Sequence, residues 1–281
     1  MSGLGLTVLV DNSTIIDRYF LAEPGLSFFL DCGGKKVLFD TGYSEIFLKN
    51  AEKMGIDLLD LDYVVLSHGH LDHTGGLVHL VLRHLEATIE GRPHRSPTIV
   101  AHPSCFFPRP LAALANAGSP VGEDEMKRQF PVQFSRSPLW LTDDLVFLGE
   151  IPRPNARPVM DKHLIITPSG TEPDHLLDDS ALVYRSNSGL VIITGCSHAG
   201  IINIVRYAQN VCKTEKILDV IGGLHLYDAG PEEIGRIADE FAALKPAALH
   251  PCHCTGLAAC MALARVVPVQ ETGVGLRLEY A

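Results

Sequence analysis

A chain of 281 residues with 46% hydrophobic and 20% charged side chains has material for a full core, as ordinary globular proteins do. Its net charge of −10 repels nucleic acid and anionic membrane surfaces. The opening "MSGLGLTVLVDN" lacks a basic segment followed by an apolar one, and no apolar run reaches about 18 residues. The expectation is a cytoplasmic protein that binds a small molecule, with no nucleic-acid or membrane partner. Seven irregularly spaced cysteines make a disulfide framework a poor reading and point to thiols.

"GLTVLVDN", "LSFFLDC" and "KKVLFDTG" are short β-rich runs, and "CGGKK" between the last two signals a hairpin. "SEIFLKNAEKMG" has helical spacing at Ile46, Phe47 and Met54 with a Gly stop. "LDYVVL" is a near-continuous apolar strand of the kind covered on both faces. Leu77, Leu80, Val81 and Leu85 then mark a helix on which His79 and His84 are expected to face solvent.

From about residue 90 to 160 prolines cluster, and short strands such as "PTIVAH" and "LVFLGE" interrupt loop-like stretches. This region reads as an insertion lying over the core, a lid. From Ser180 strands and helices alternate: "ALVYR", "LVIITG", helix "AGIINIVRYAQNV", "KILDVIGG", helix "PEEIGRIADEFAAL", "AALH", helix "TGLAACMALARV", and a last strand near "GLRLEY". The pattern predicts one α/β or α+β layered sandwich over residues 1–281.

"VVLSHGHLDHTGGL" crowds His68, His70, Asp72 and His73 into six positions at a strand end. Such a cluster has little packing value, but neutral imidazole and carboxylate suit divalent transition metals. Other strand ends deliver Cys196 and His198, His225, and His250 with His253. In layered α/β folds ligands gather at the carboxyl ends of strands, so these read as one site. Taken singly, His225 and His250 suit structural roles equally well, Asp40 could cap a turn, and Cys252 and Cys254 fit best as buried small residues.

"HGHLDH", with "LFDTG" upstream, resembles the signature of the metallo-β-lactamase superfamily, and the order of elements matches over nearly the whole chain. "GCSHAGI", "IGGLHL" and "HCTG" resemble the branch that includes a dihydropterin-ribofuranosylaminobenzene phosphate synthase. The resemblance implies a four-layer αββα sandwich with a dinuclear metal site along one edge. His68 and His70 would bind one ion, Asp72 and His73 the other, with His253 as the last ligand. Where many members place a bridging aspartate, this chain has Cys196, and a thiolate there favours softer ions. His198 best fits the mid-chain imidazole, with His175 and Asp179 as alternatives. Two divalent ions are implied, zinc first, with magnesium, manganese or iron as alternatives.

A bound divalent ion lowers the pKa of water from about 15.7 to about 7, and a pair can clamp the attacking and leaving oxygens of a phosphoester or diphosphate. Asp72 would orient the nucleophile, His225 would serve as general acid or phosphate-binding group, and Asp40 would hold a ligand histidine in its tautomer. The reaction is hydrolysis or dihydropterin-type transfer on a phosphorylated or diphosphorylated small molecule. Arg92, Arg95, Arg109, Lys127, Arg128, Arg136, Arg153 and Arg157 concentrate in the expected insertion, and Arg109 beside "AHPSCFFP" is the expected phosphate contact. The opposing reading balances them against Glu123, Asp124, Glu125, Asp143 and Asp144. Two other function classes compete. One is a hydrolase with Cys196 as nucleophile and His198 or His253 as base; the other is a metal- or redox-sensing module using Cys196 and "CHC".

Overall fold

Along the strand Lys35–Phe39, Val37 and Phe39 point to one side and Leu38 to the other, and all three are buried. A strand covered on both faces must belong to a sheet with packed layers above and below. The computed structural model describes residues 3–111, 115–154 and 163–281, and two such sheets stand at its centre.

The first sheet runs Arg277–Tyr280, Leu4–Val10, Ser27–Cys32, Lys35–Phe39, Tyr63–Val65, Thr98–Ala101, Val132–Phe134 in spatial order. Its first four strands pair antiparallel and the rest parallel. The second sheet runs Ala248–Cys252, Ile217–Gly223, Gly189–Thr194, Ala181–Ser186, Leu145–Phe147, Leu139–Trp140. Its first three strands are parallel to one another and end at the same edge. Phe28, Phe39 and Val65 of the first sheet meet Phe147, Tyr184 and Ile193 of the second in the central core. Helices Ile46–Lys53, Leu77–Ile89 and Glu123–Gln129 cover the first sheet's outer face through Phe47, Leu80 and Met126. Helices Ile201–Cys212, Pro231–Leu244 and Leu257–Leu263 cover the second through Ile204, Phe241 and Leu263. The order of layers is αββα, as expected.

Two expectations are corrected. The described residues of the stretch 90 to 160 are not simply an overlying lid, because Thr98–Ala101 and Val132–Phe134 extend the first sheet and Leu139–Trp140 and Leu145–Phe147 the second. Ile99, Val100, Leu145 and Phe147 are fully buried, so this segment is core. On the helix Leu77–Ile89 it is His84, 6% exposed, that faces inward, while Leu85 is 49% exposed. The His84 ring packs edge-on against Phe130 with centroids 5.1 Å apart, and its Nδ1 lies 3.0 Å from the Leu80 carbonyl. No helix among the described residues is long and apolar enough to cross a membrane.

Candidate metal centre

Four strand ends bound one site, and at each the chain turns through a left-handed conformation. Asp40 (φ 57), Ser197 (φ 67), His225 (φ 50) and His253 (φ 53) lie just beyond Lys35–Phe39, Gly189–Thr194, Ile217–Gly223 and Ala248–Cys252. Non-glycine residues pay strain there, about 1–3 kcal/mol each, and such strain clusters at functional sites. A fifth strand, Tyr63–Val65, leads into His68 and His70, and the short helix Leu71–Thr74 carries Asp72 and His73.

The hydrogen bonds fix which ring nitrogens carry protons. Ser67 Oγ donates to Asp40 Oδ2 at 2.7 Å, so at 2.9 Å it can only accept from His68 Nδ1. His73 Nδ1 lies 2.7 Å from Asp40 Oδ2, an acceptor, and donates to it. His253 Nδ1 donates to Asn12 Oδ1 at 3.2 Å, while Asn12 Nδ2 donates to the His253 carbonyl. In the neutral form of each imidazole the lone pair is on Nε2.

Those lone pairs converge. His73 Nε2 is 3.2 Å from His253 Nε2, and Cys196 Sγ is 3.2 Å from each. Asp72 Oδ2 stands 3.4 Å from His253 Nε2 and 3.7 Å from His73 Nε2. Beside this group His68 Nε2 is 3.0 Å from His70 Nδ1, and the His198 ring centroid is 4.8 Å from that of His68. His198 Nε2 is buried without a hydrogen-bond partner. The rings of His68 and His73, one from each group, are 4.3 Å apart, so the groups adjoin.

Polar atoms converging this closely must share protons or a cation. Nitrogens bound tetrahedrally at 2.0–2.1 Å would be about 3.3 Å apart, close to the separations found. The donors His68, His70 and His198, and Asp72, His73, Cys196 and His253, therefore fit divalent cations. The site's field favours positive charge. Burial pushes the His73 pKa down, but the Asp72 and Asp40 carboxylates outweigh it and hold it at about 9, so an entering ion would displace a proton there. Burial and the Arg109 charge push His70 down to about 4, leaving it neutral and able to ligate. Burial would raise the Asp72 carboxyl, but His73 and His253 hold it well below the usual carboxylate range.

Every ligand expected from the sequence is brought together here, with His198 in the mid-chain place. His175 is exposed, and Asp179 instead accepts from the Ala199 N–H at 2.8 Å. His225 lies against His198, ring centroids 4.2 Å apart. His250 is not in the site: it sits inside its strand, with Nδ1 2.8 Å from Asp219 Oδ2, to which Tyr280 Oη also donates. Sequence reasoning passed over Ser67 and Asn12, whose signals were adjacency to His68 and the polar pair ending "TVLVDN"; Cys254, read as a buried small residue, instead lies half-buried beside Cys196.

Arg109 is a correction. Its Nε donates to Asp174 Oδ2 and its Nη2 to Asp178 Oδ2, both at 2.7 Å, while Nη1 donates to the Cys105 carbonyl at 3.3 Å. Buried and engaged at all three nitrogens, it offers no edge to a phosphate. Asp178 Oδ2 also accepts from the Gly69 N–H at 2.7 Å, so Arg109 positions the "HGH" turn. A Cβ at Gly69 would lie 2.1 Å from Arg109 Nη1 and 2.0 Å from the Cys105 carbonyl oxygen, which reserves the position for glycine. The other cations also have partners: Arg92 with Glu90, Arg95 with Asp60, Lys127 with Glu123, Arg128 with Glu125, Arg136 with Glu150. Arg153 donates to the carbonyls of His175 and Leu176. Arg157 lies outside the described residues.

The chain is similar to known proteins over most of its length. Residues 21–253 match the model of the metallo-beta-lactamase superfamily. An uncharacterized protein of Methanocaldococcus jannaschii is 30% identical over 93% of this chain and 94% of its own. From the same organism, 7,8-dihydropterin-6-methyl-4-(beta-D-ribofuranosyl)-aminobenzene-5'-phosphate synthase is 32% identical over 85% of this chain and 83% of its own. The crystal structure of Tm1679, a metal-dependent hydrolase of the beta-lactamase superfamily, superimposes with a TM-score of 0.82 at 30% identity, covering 98% of each chain. The signature loop, the αββα layers and the match over most of the chain make this protein a member of the metallo-β-lactamase superfamily.

Proposed function

We propose that the protein is a metal-dependent enzyme that cleaves a phosphoester or diphosphate bond of a small molecule, passing the product to water or to an acceptor. The observation that carries this is the adjacency of two donor groups, His68/His70/His198 and Asp72/His73/Cys196/His253. Two divalent ions held there, zinc first by the donor set, would polarise the scissile group and supply a nucleophile near neutral pH. Cys196, a member of the second group, biases the site toward borderline-soft ions over magnesium.

Asp72 stays ionised and is 35% exposed at the mouth; with Oδ2 turned toward His73 and His253, its other oxygen is the one to hold and orient an attacking hydroxyl or water. His225, half-buried beside His198, is placed to give a proton to a departing oxygen. Support for a phosphorylated substrate comes from the synthase relative, whose product name carries a 5'-phosphate. The choice between hydrolysis and transfer turns on what enters beside Asp72, since the same residues serve both.

A cysteine-nucleophile enzyme fits less well: Cys196 is only 4% exposed, and burial followed by Cys254 pushes its thiol well above the ordinary value, the reverse of activation. A pure sensing module leaves Asp72's open edge without a task. The deciding experiment is metal content per chain after purification without added metal. Assays of stripped and reloaded protein on phosphoesters, diphosphates, neutral esters and lactones accompany it. Turnover of phosphorylated compounds that vanishes on stripping and returns with zinc, manganese or iron is expected. Equal turnover by stripped protein would overturn the metal reading, and activity confined to neutral esters would overturn the substrate class.

A further inference from the structure

Cys254 is not among the family's expected ligands, yet its Sγ lies 3.5 Å from Cys196 Sγ. A ligand atom of His225 completes the group, all within 4.8 Å of one another. The three residues follow the ends of the three parallel strands Gly189–Thr194, Ile217–Gly223 and Ala248–Cys252. The middle strand ends in Gly223, where a Cβ would lie 2.7 Å from Cys254 Sγ; only glycine lets the sulfur occupy that notch. Backbone bonds lock the frame: Leu226 N–H and Tyr227 N–H both donate to the Cys254 carbonyl at 3.1 Å. Leu224 N–H donates to Thr255 Oγ1, also at 3.1 Å.

Two sulfurs this close can share a proton, close a disulfide or hold a common ion, and a disulfide would need them to approach to about 2.05 Å. Sulfurs bound tetrahedrally at about 2.3 Å would be about 3.8 Å apart, close to what is found. We propose that Cys196, Cys254 and His225 form a further position for a thiophilic cation such as zinc, with the Cys196 sulfur shared with the neighbouring Asp72/His73/His253 group. Both thiols give their protons to solvent as the ion enters, and no redox change is involved. The proposal rests on the metal reading of the site in that Cys196 is common to both, and with an ion bound here His225 is a ligand and the proton for the departing oxygen comes from water.

Cobalt(II) titration of stripped, reduced full-length protein tests it, read by bound equivalents and by sulfur-to-cobalt charge-transfer absorption. Cys254→Ser should bind one equivalent fewer and lose about half the charge-transfer intensity, one of two thiolates being gone. His225→Gln should lose the same equivalent while keeping both sulfurs, which guards against a misfolded cysteine variant. A double variant, His68→Ala with His70→Ala, should keep the full sulfur absorption. If Cys254→Ser and His225→Gln bind and absorb as the parent does, the proposal fails and the two-group reading stands. A parent chain that binds no cobalt at all overturns both. A Cys196–Cys254 disulfide in protein handled under air and then loaded without reductant would also overturn it.

Discussion

Asp40 Oδ2 lies 2.7 Å from His73 Nδ1, both side chains fully buried, and this one contact aims His73 Nε2 at Cys196 and His253. The carboxylate fixes the tautomer and raises the basicity of the nitrogen that would face an ion. Asp40→Asn can turn its amide nitrogen toward Nδ1 and reverse that preference. We expect metal affinity to fall about 10- to 100-fold, measured by competition with a chelator, with the far-ultraviolet circular dichroism unchanged. An affinity within twofold of the parent would show that Asp40 does not orient the ligand.

His68 and His70 contribute lone pairs to the first donor group and little to the apolar core. Replacing both by Ala should abolish that group's ion and nearly all metal-dependent turnover while the chain stays folded. Elemental analysis of the purified double variant checks it, and unchanged metal per chain would remove these histidines from the ligand set.

The candidate cluster was legible because four of its residues are crowded in six positions at a strand end, a local signal that packing does not explain. The strand ends carrying Cys196, His198 and His253 were legible for the same reason, since apolar strands are easy to bound. Arg109 was not, because its partners Asp174 and Asp178 lie 65 and 69 residues further on and no local pattern pairs them. A buried guanidinium and a phosphate-binding one look alike in sequence. The proline-rich stretch read as a lid because its strands are only two to four residues long, although they complete both sheets. The meeting of Cys254 with Cys196 depends on the missing side chain of Gly223 between them, a three-strand relationship.

Arg109 is therefore a stability residue first. Arg109→Ala leaves Asp174 and Asp178 buried without their cation, and breaking a buried pair in this way costs about 3–5 kcal/mol. Arg109→Lys recovers only part, because an ammonium cannot reach both carboxylates as the fork does. Denaturant unfolding should rank parent, Lys and Ala in that order. A stable Arg109→Ala protein with weakened binding confined to phosphorylated substrates would restore the phosphate role set aside above.

His84 gives a pH signature away from the metal centre. Burial, opposed by the Leu80 carbonyl and reinforced by His94, lowers its pKa, and its Nε2 is buried with no hydrogen-bond partner. The folded chain thus holds His84 neutral at pH values where the unfolded chain has begun to protonate it. The unfolded state binds more protons, so this residue makes stability fall as pH drops below the ordinary histidine value of about 6.5, by at most about 1.4 kcal/mol per pH unit. His84→Leu removes both the titration and the orphaned nitrogen while keeping the packing on Phe130. Measured with chelator present throughout, so that metal release does not enter, the two unfolding free energies should lie closest near about pH 8. The variant should gain on the parent steadily toward about pH 5. A gap between parent and variant that stays constant across that range would mean His84 titrates alike in both states, and that its burial carries no proton-linked penalty.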